Sequence, residues 1–410
     1  MASCDGETRI NPSIPFHQPS KLLEELPTEL QRMVLHASPT LGTLQSLVLS
    51  SPLYHQAYVS SRKSILSTVL RNELGSVWND AAARLRGSKF PSTSDPEDDL
   101  AEITLIVNYE VGSKFPTDDV NPCDLPTLIE MARFHWKVLH IMSNFCKHSL
   151  LFHPLHKNVG ACYQELSPSE SRRIYRALYR LEIFCSLFEF GGNDRGYETS
   201  DYDGDEVQDI FLGKFGVWEI EEIACLRDYF YRYYYSTLET HIRQRREFAD
   251  TRSYTETAES CVSLGLERMY ELMTSTRSLK ARLLDEMIDD ASNIYPQLTR
   301  ALQNYGNRLP RGNDDLDAHT NKNGMNFLGE NEGPNVAWVW SVNNTFDMRY
   351  YHDKAAHLRF WGYVMWDLNR LEEWGILKLK PEDFKEFHVP EWNFVYIAEA
   401  ARRARIIAKL

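Results

Sequence analysis

The stretch SDPEDDLAEITLIV, Ser94 to Val107, places five acidic residues between Asp95 and Glu102 and then turns abruptly apolar. If this stretch is helical, Asp98 lies four residues before Glu102 and Asp99 three before it, so their carboxylates share one face. Three anions held together attract a positively charged group, and the repulsion between them is relieved when a cation binds. One member of such a trio is a candidate general base. The same residues also suit the first turn of a helix, where acids offset the macrodipole and Asp95 or Asp98 serves as N-cap.

Basic residues form a second set of candidates. In SRRIYRALYR, Arg172, Arg176 and Arg180 recur every four residues beside Tyr175 and Tyr179. In THIRQRREF, Arg243, Arg245 and Arg246 follow the tyrosine-rich YFYRYYY, and Arg402, Arg403, Arg405 and Lys409 lie near the chain's end. Such faces bind phosphate, and the aromatic rings offer stacking surface for unpaired bases. Arginine at helical spacing equally forms a solvated face whose stems cover the core. The formal charge of −13 disfavours a general nucleic-acid binder but allows a local basic patch.

The elements that must position these groups are helices. Apolar residues recur at three- and four-residue spacing, and strand-like alternation is rare, which gives a mostly α, multi-helix globular protein. With 410 residues and 43% hydrophobic content, a sizeable core is available. A small three-helix module is expected within residues 1–86, Pro27 and Pro52 each opening a helix and Pro39 and Gly42 punctuating. Leu30, Met33, Val34, Leu44, Leu47, Val48, Leu53, Ala57 and Tyr58 would share its core. GSKFPSTSDPED, from Gly87, reads as a linker, and a larger helical domain covers 99–410 with a long polar loop at 309–335.

Long amphipathic helices are expected in LPTLIEMARFHWKVLHIMSNFC, SRRIYRALYRLEIFCSLFEF and VWEIEEIACLRDYFYRYYYSTLETHIRQRREF, and shorter ones in CVSLGLERMYELMTS and YIAEAARRARIIAKL. In LRFWGYVMWDLNRLEEWG, Leu358, Trp361, Met365, Leu368 and Leu371 fall on one helical face, with Gly375 as its C-terminal cap.

LPTELQRMVL, LQSLVLSSPLYHQAY and SILSTVL resemble the F-box-like N-terminus of many fungal proteins, and LRFWGYVMWDLNRLEEWG resembles a later stretch of the same group. An F-box implies binding to the Skp adaptor of a cullin ubiquitin ligase through the apolar surface of the first helices, with Leu30, Val34 and Leu47 exposed. The alternative is that these leucines dock onto the rest of the same chain.

DDLAE, Asp98 to Glu102, resembles the DDxxE signature of fungal arginine-containing cyclodipeptide synthases. That resemblance implies arginyl-tRNA and a second aminoacyl-tRNA as substrates and a cyclic dipeptide as product. Asp98, Asp99 and Glu102 would then grip the guanidinium through charge-assisted forks or act as base toward the α-ammonium. The ester to tRNA is already activated, so no ATP, metal or redox cofactor is required, and the oxyanion donors that acyl transfer needs carry no signature in the sequence. DDxxE also resembles the first metal motif of terpene synthases, but NDDLDAHT and DEMIDDASN do not supply their second motif.

The remaining signals are weaker. Cys146, His148, His153 and His156 lack a standard zinc spacing, and DYDGDEVQD departs from a calcium loop at its glycine and final ligand. Glycine signatures of phosphate loops, dinucleotide folds and serine hydrolases are missing from the sequence. Seven scattered cysteines suit a reducing compartment, and no uninterrupted apolar run is long enough to span a membrane. A cytoplasmic location is expected.

Overall fold

The structure, a computed structural model, describes residues 23–89, 96–109, 111, 124–150, 165–188, 209–245, 251–292, 294, 296–308, 334–343 and 358–380. Among the described residues there are helices and turns and no strand, as the periodicity predicts. The chain divides into two compact units, residues 1–73 and 74–410.

The first unit contains four helices rather than three: α1 (Thr28–His36), α2 (Leu41–Ser50), α3 (Pro52–Ser60) and α4 (Arg62–Leu74), the last ending at the division. Pro52 occupies the first position of α3, and Ser51 before it accepts from the Leu53 amide. Thr40 caps α2 by accepting from the Thr43 amide. The Glu73 carboxylate on α4 receives the Leu41 amide at 2.7 Å and so meets a second orphan donor of the same helix start.

The core of this unit is Leu35, Leu41, Leu44, Tyr54, Ala57, Ile65 and Leu66. Several expected core residues stand elsewhere: Leu30, Met33 and Leu53 are exposed, and Val34, Leu47, Val48 and Tyr58 are half-buried. The inward face of α1 is instead Gln31 and Leu35, with Ser38 buried just beyond the helix end. Gln31 is tolerated there because its amide donates to the carbonyls of Glu24 and Leu26.

The second unit begins with α5 (Trp78–Gly87) and α6 (Pro96–Tyr109), followed by α7 (Leu125–Ser149), α8 (Pro168–Phe188) and α9 (Val217–Arg245). Helices α10 (Thr251–Val262), α11 (Gly265–Thr274), α12 (Arg277–Ala291), α13 (Gln297–Arg308), α14 (Pro334–Asn343) and α15 (Leu368–Glu373) complete it. Helix α8 lies at the centre, packed by α5, α7, α9 and α11. Helix α5, placed by the sequence with the N-terminal module, belongs here and packs on α8, with Asp80 paired to Arg180, Arg84 to Glu182 and Gly87 lying against Leu187.

The segment around Trp361 is not one continuous helix. Gly362 adopts φ +67°, a short 3-10 turn covers Tyr363–Met365, and α15 then starts at Leu368. A Cβ at Gly362 would lie 2.8 Å from the Phe145 ring, so both conformation and space demand glycine there. Leu358, Trp361, Met365 and Leu371 are nevertheless buried, and Gly375, at φ +69°, ends α15 where a C-terminal glycine is expected.

Much of the loop at 309–335 and all of 381–410, including the expected last helix, lie outside the described residues. No helix among the described residues is long and apolar enough to cross a membrane.

Candidate functional site

The acidic motif lies at the start of α6, so Asp98, Asp99 and Glu102 fall within its first turns. Ile103, Ile106 and Val107 turn inward and fix the orientation of the helix, which leaves Glu102 exposed to solvent. The side chains of Asp98 and Asp99 lie outside the described residues.

The arginines of α8 face inward instead of forming a solvated stripe. Arg176 Nη2 lies 2.7 Å from Glu222 Oε1, with Arg176 Nη1 3.2 Å from Glu219. Arg180 Nε meets Asp80 at 3.2 Å, and its guanidinium lies over the Phe215 ring at 4.0 Å. Both guanidinium groups are therefore engaged by carboxylates inside the fold, which corrects the expectation of a phosphate-binding face at these two positions. A buried charge without a counter-ion is far costlier than a paired one, so α8 enters the interior only because α5 and α9 supply those acids. Arg172 is half-buried, with Nε 3.0 Å from the position a Cβ would occupy on Gly75.

Arg243 and Arg245 fall in the last turn of α9 with side chains outside the described residues, as do Arg246, Arg402, Arg403, Arg405 and Lys409 altogether. Cys146 and His148 sit on α7, while His153, His156 and most of the DYDGDEVQD loop lie outside the described residues. Burial, and then the nearby Glu170 charge, pushes the Cys146 thiol up to about 12, so the free side chain is protonated at neutral pH. His148 donates Nδ1–H to the Asn144 carbonyl at 2.6 Å.

The charge pairing extends across the second unit. Arg359 Nε lies 2.8 Å from Glu221, Arg173 Nη2 lies 2.7 Å from Asp367, and Arg370 donates to both oxygens of Glu170 at 2.7 Å. Glu219 titrates in this setting: burial alone would raise its pKa, but the Arg180 and Arg176 charges override it and hold the carboxyl near about 2, against an ordinary 4.5. The folded-state pKa is depressed, so the stabilisation is present above pH 4.5 and is lost as pH falls toward about 2. Acid titration followed by tryptophan fluorescence should therefore show wild type losing stability across that window, with Glu219→Gln giving a flatter profile.

The first unit has a different surface. Nine large hydrophobic side chains are exposed among the described residues, and six of them belong to this small unit: Leu23, Leu30, Met33, Leu49, Leu53 and Val59. On α1, Leu30, Met33, Val34 and Ala37 follow the i, i+3, i+4, i+7 spacing of one stripe, with Met33 64% exposed. Helix α3 packs on both α1 and α2 and carries Leu53 and Val59, while α2 carries Leu49 at 75% exposure. Comparison with family models, curated proteins and solved structures finds no match.

The sequence pattern marked Leu30, Val34 and Leu47 as the outward face under the adaptor reading. The structure exposes Leu30 at 42%, leaves Val34 and Leu47 half-buried, and adds Met33, Leu49, Leu53 and Val59. Periodicity alone could have found the α1 stripe, since Gln31 and Ser38 mark the opposite register. Leu49, Leu53 and Val59 become visible only once the packing of α2 and α3 is known.

Proposed function

We propose that the N-terminal unit is a docking module and that the protein acts as an F-box-type adaptor, binding the Skp subunit of a cullin ubiquitin ligase. One observation carries this reading: exposed apolar side chains concentrate on α1 to α3, where α1 turns its hydrophobic stripe outward while a hydrogen-bonded glutamine faces the core. Exposed apolar surface of this kind costs about 25 cal/mol for every Å² left in water, which a partner recovers on binding.

The test is calorimetric titration of the full chain with a Skp subunit. Binding at micromolar Kd or tighter is expected, and Met33→Asp should weaken it about tenfold or more, as removal of a central apolar contact does. Met33 is exposed, so circular dichroism of the variant should match wild type. Absence of a complex, or equal binding by Met33→Asp, would overturn the proposal.

A second reading, an arginine-containing cyclodipeptide synthase using arginyl-tRNA and a second aminoacyl-tRNA, is supported by the helical form of Pro96–Tyr109, which keeps Asp98, Asp99 and Glu102 within one turn or so. It ranks below the adaptor because Glu102 stands in solvent, where an ion pair with a guanidinium is worth about 0–1 kcal/mol. Expression in a bacterium with mass spectrometry for arginine-containing diketopiperazines tests it. If the reading holds, Glu102→Gln should lower product about 100-fold or more, the scale of a lost general base. An equal yield from wild type and variant, or no product from folded protein, counts against it.

A further inference from the structure

The segment Leu358–Lys380 is clasped to the start of α8 by a compact cluster centred on Asp367. Ser167, the residue before α8, donates its hydroxyl to Asp367 Oδ2 at 2.6 Å and accepts the Glu170 amide at 3.1 Å. Ser169 Oγ lies 3.0 and 3.1 Å from the two oxygens of Asp367, and Arg173 closes the other side at 2.7 Å. Glu170 receives the Ser167 and Asp367 amides, each at 3.0 Å, and pairs with Arg370, which also donates to the Glu165 carbonyl.

Ser167 is thus both a helix cap and the hydroxyl that holds a carboxylate. It is half-buried, in a stretch where Glu165 and Pro168 are exposed, and Pro168 follows it directly. A serine followed by proline at the surface is the recognition pattern of a proline-directed kinase, and here its hydroxyl bears on a long-range contact.

From this geometry we infer that Ser167 is a phosphorylation site whose modification opens the clasp between α8 and Leu358–Lys380. In the reaction, Ser167 Oγ attacks the γ-phosphorus of ATP on the kinase, the bond to the β,γ-bridging oxygen breaks, ADP leaves, and the hydroxyl proton passes to the kinase's base. The hydroxyl donor is then gone, and a group of charge about −1.5 to −2 stands at hydrogen-bonding distance from the Asp367 carboxylate, with Glu170 beside it. Like-charge repulsion drives Asp367 outward, and Arg173 is drawn to the phosphate in its place.

The experiment treats the full chain with a proline-directed serine/threonine kinase and Mg-ATP, maps phosphate by mass spectrometry, and follows hydrogen exchange of peptides from Leu358–Lys380. Phosphate at Ser167 and about tenfold faster exchange in that segment are expected, the size of a lost charge-assisted contact. Ser167→Ala should take up no phosphate there. Because that variant also loses a cap, Pro168→Ala provides the folded control: it keeps the hydroxyl and should escape the kinase with exchange unchanged. Asp367→Asn should speed exchange without any kinase. An unmodified Ser167 in folded protein, a modified Ser167 with unchanged exchange, or unchanged exchange in Asp367→Asn would each overturn the inference.

Discussion

Arg359→Met is expected to destabilise the second unit by about 3–5 kcal/mol, the cost of removing one partner from a buried ion pair. Arg359 and Glu221 are 2% and 1% exposed, with Nε and Oε1 2.8 Å apart, and Arg359 also faces Asp228 at 3.7 Å. Methionine matches much of the side chain's volume, so the loss comes from the Glu221 carboxylate, left in the interior with its counter-ion removed. The paired change Arg359→Met with Glu221→Leu should recover most of the stability, because an apolar pair of similar volume is often as good as the ion pair it replaces. Urea unfolding followed by tryptophan fluorescence measures this cleanly: all nine tryptophans lie at or beyond Trp78, so the signal reports the second unit alone. A single variant as stable as wild type would show that Glu221 is solvated.

Trp366→Ala should cost a similar amount, about 3–5 kcal/mol, for a different reason. The indole is fully buried, stacks 6.5 Å from the Phe145 ring, and donates Nε1–H to the Trp361 carbonyl at 2.9 Å. Alanine leaves a cavity and removes that hydrogen bond, and both terms act in the same direction. Trp366→Phe retains most of the ring and should lose only part of that amount. A lowered urea midpoint with unchanged slope is the expected signature, since the loss would be one of stability rather than of the area exposed on unfolding.

The helices were the part of this protein most open to reading from sequence. The expected ranges at 125–146, 171–190 and 217–248 coincide closely with α7, α8 and α9, because each carries an apolar period that continues for many turns. The first unit reads as three helices because no proline or glycine marks the end of α3, and Ser61, its C-cap, is all that separates it from α4. Gly362 was invisible as a break, since its apolar neighbours keep helical spacing while the backbone does not.

The charges were the least legible. Arg176 and Arg180 look the same on a solvated face and on a buried one, and what decides between them is distant in sequence: Glu222 lies 46 residues from Arg176, and Asp80 lies 100 from Arg180. The α1 stripe shows a similar limit. Spacing identifies a hydrophobic face, but only the packing of α3 and the inward turn of Gln31 reveal that it points away from the core of its own unit.

The interior around α8 has a consequence for how this sequence can change over time. Where a core is hydrocarbon, one residue can shrink or grow and its neighbours adjust, but Arg173, Arg176 and Arg180 are each tied to an acid on a distant segment. Neither member can be exchanged alone without stranding the other, so these positions are expected to drift as couples or stay fixed, and libraries that vary α8 should yield functional members mainly when both ends of a pair are randomised together.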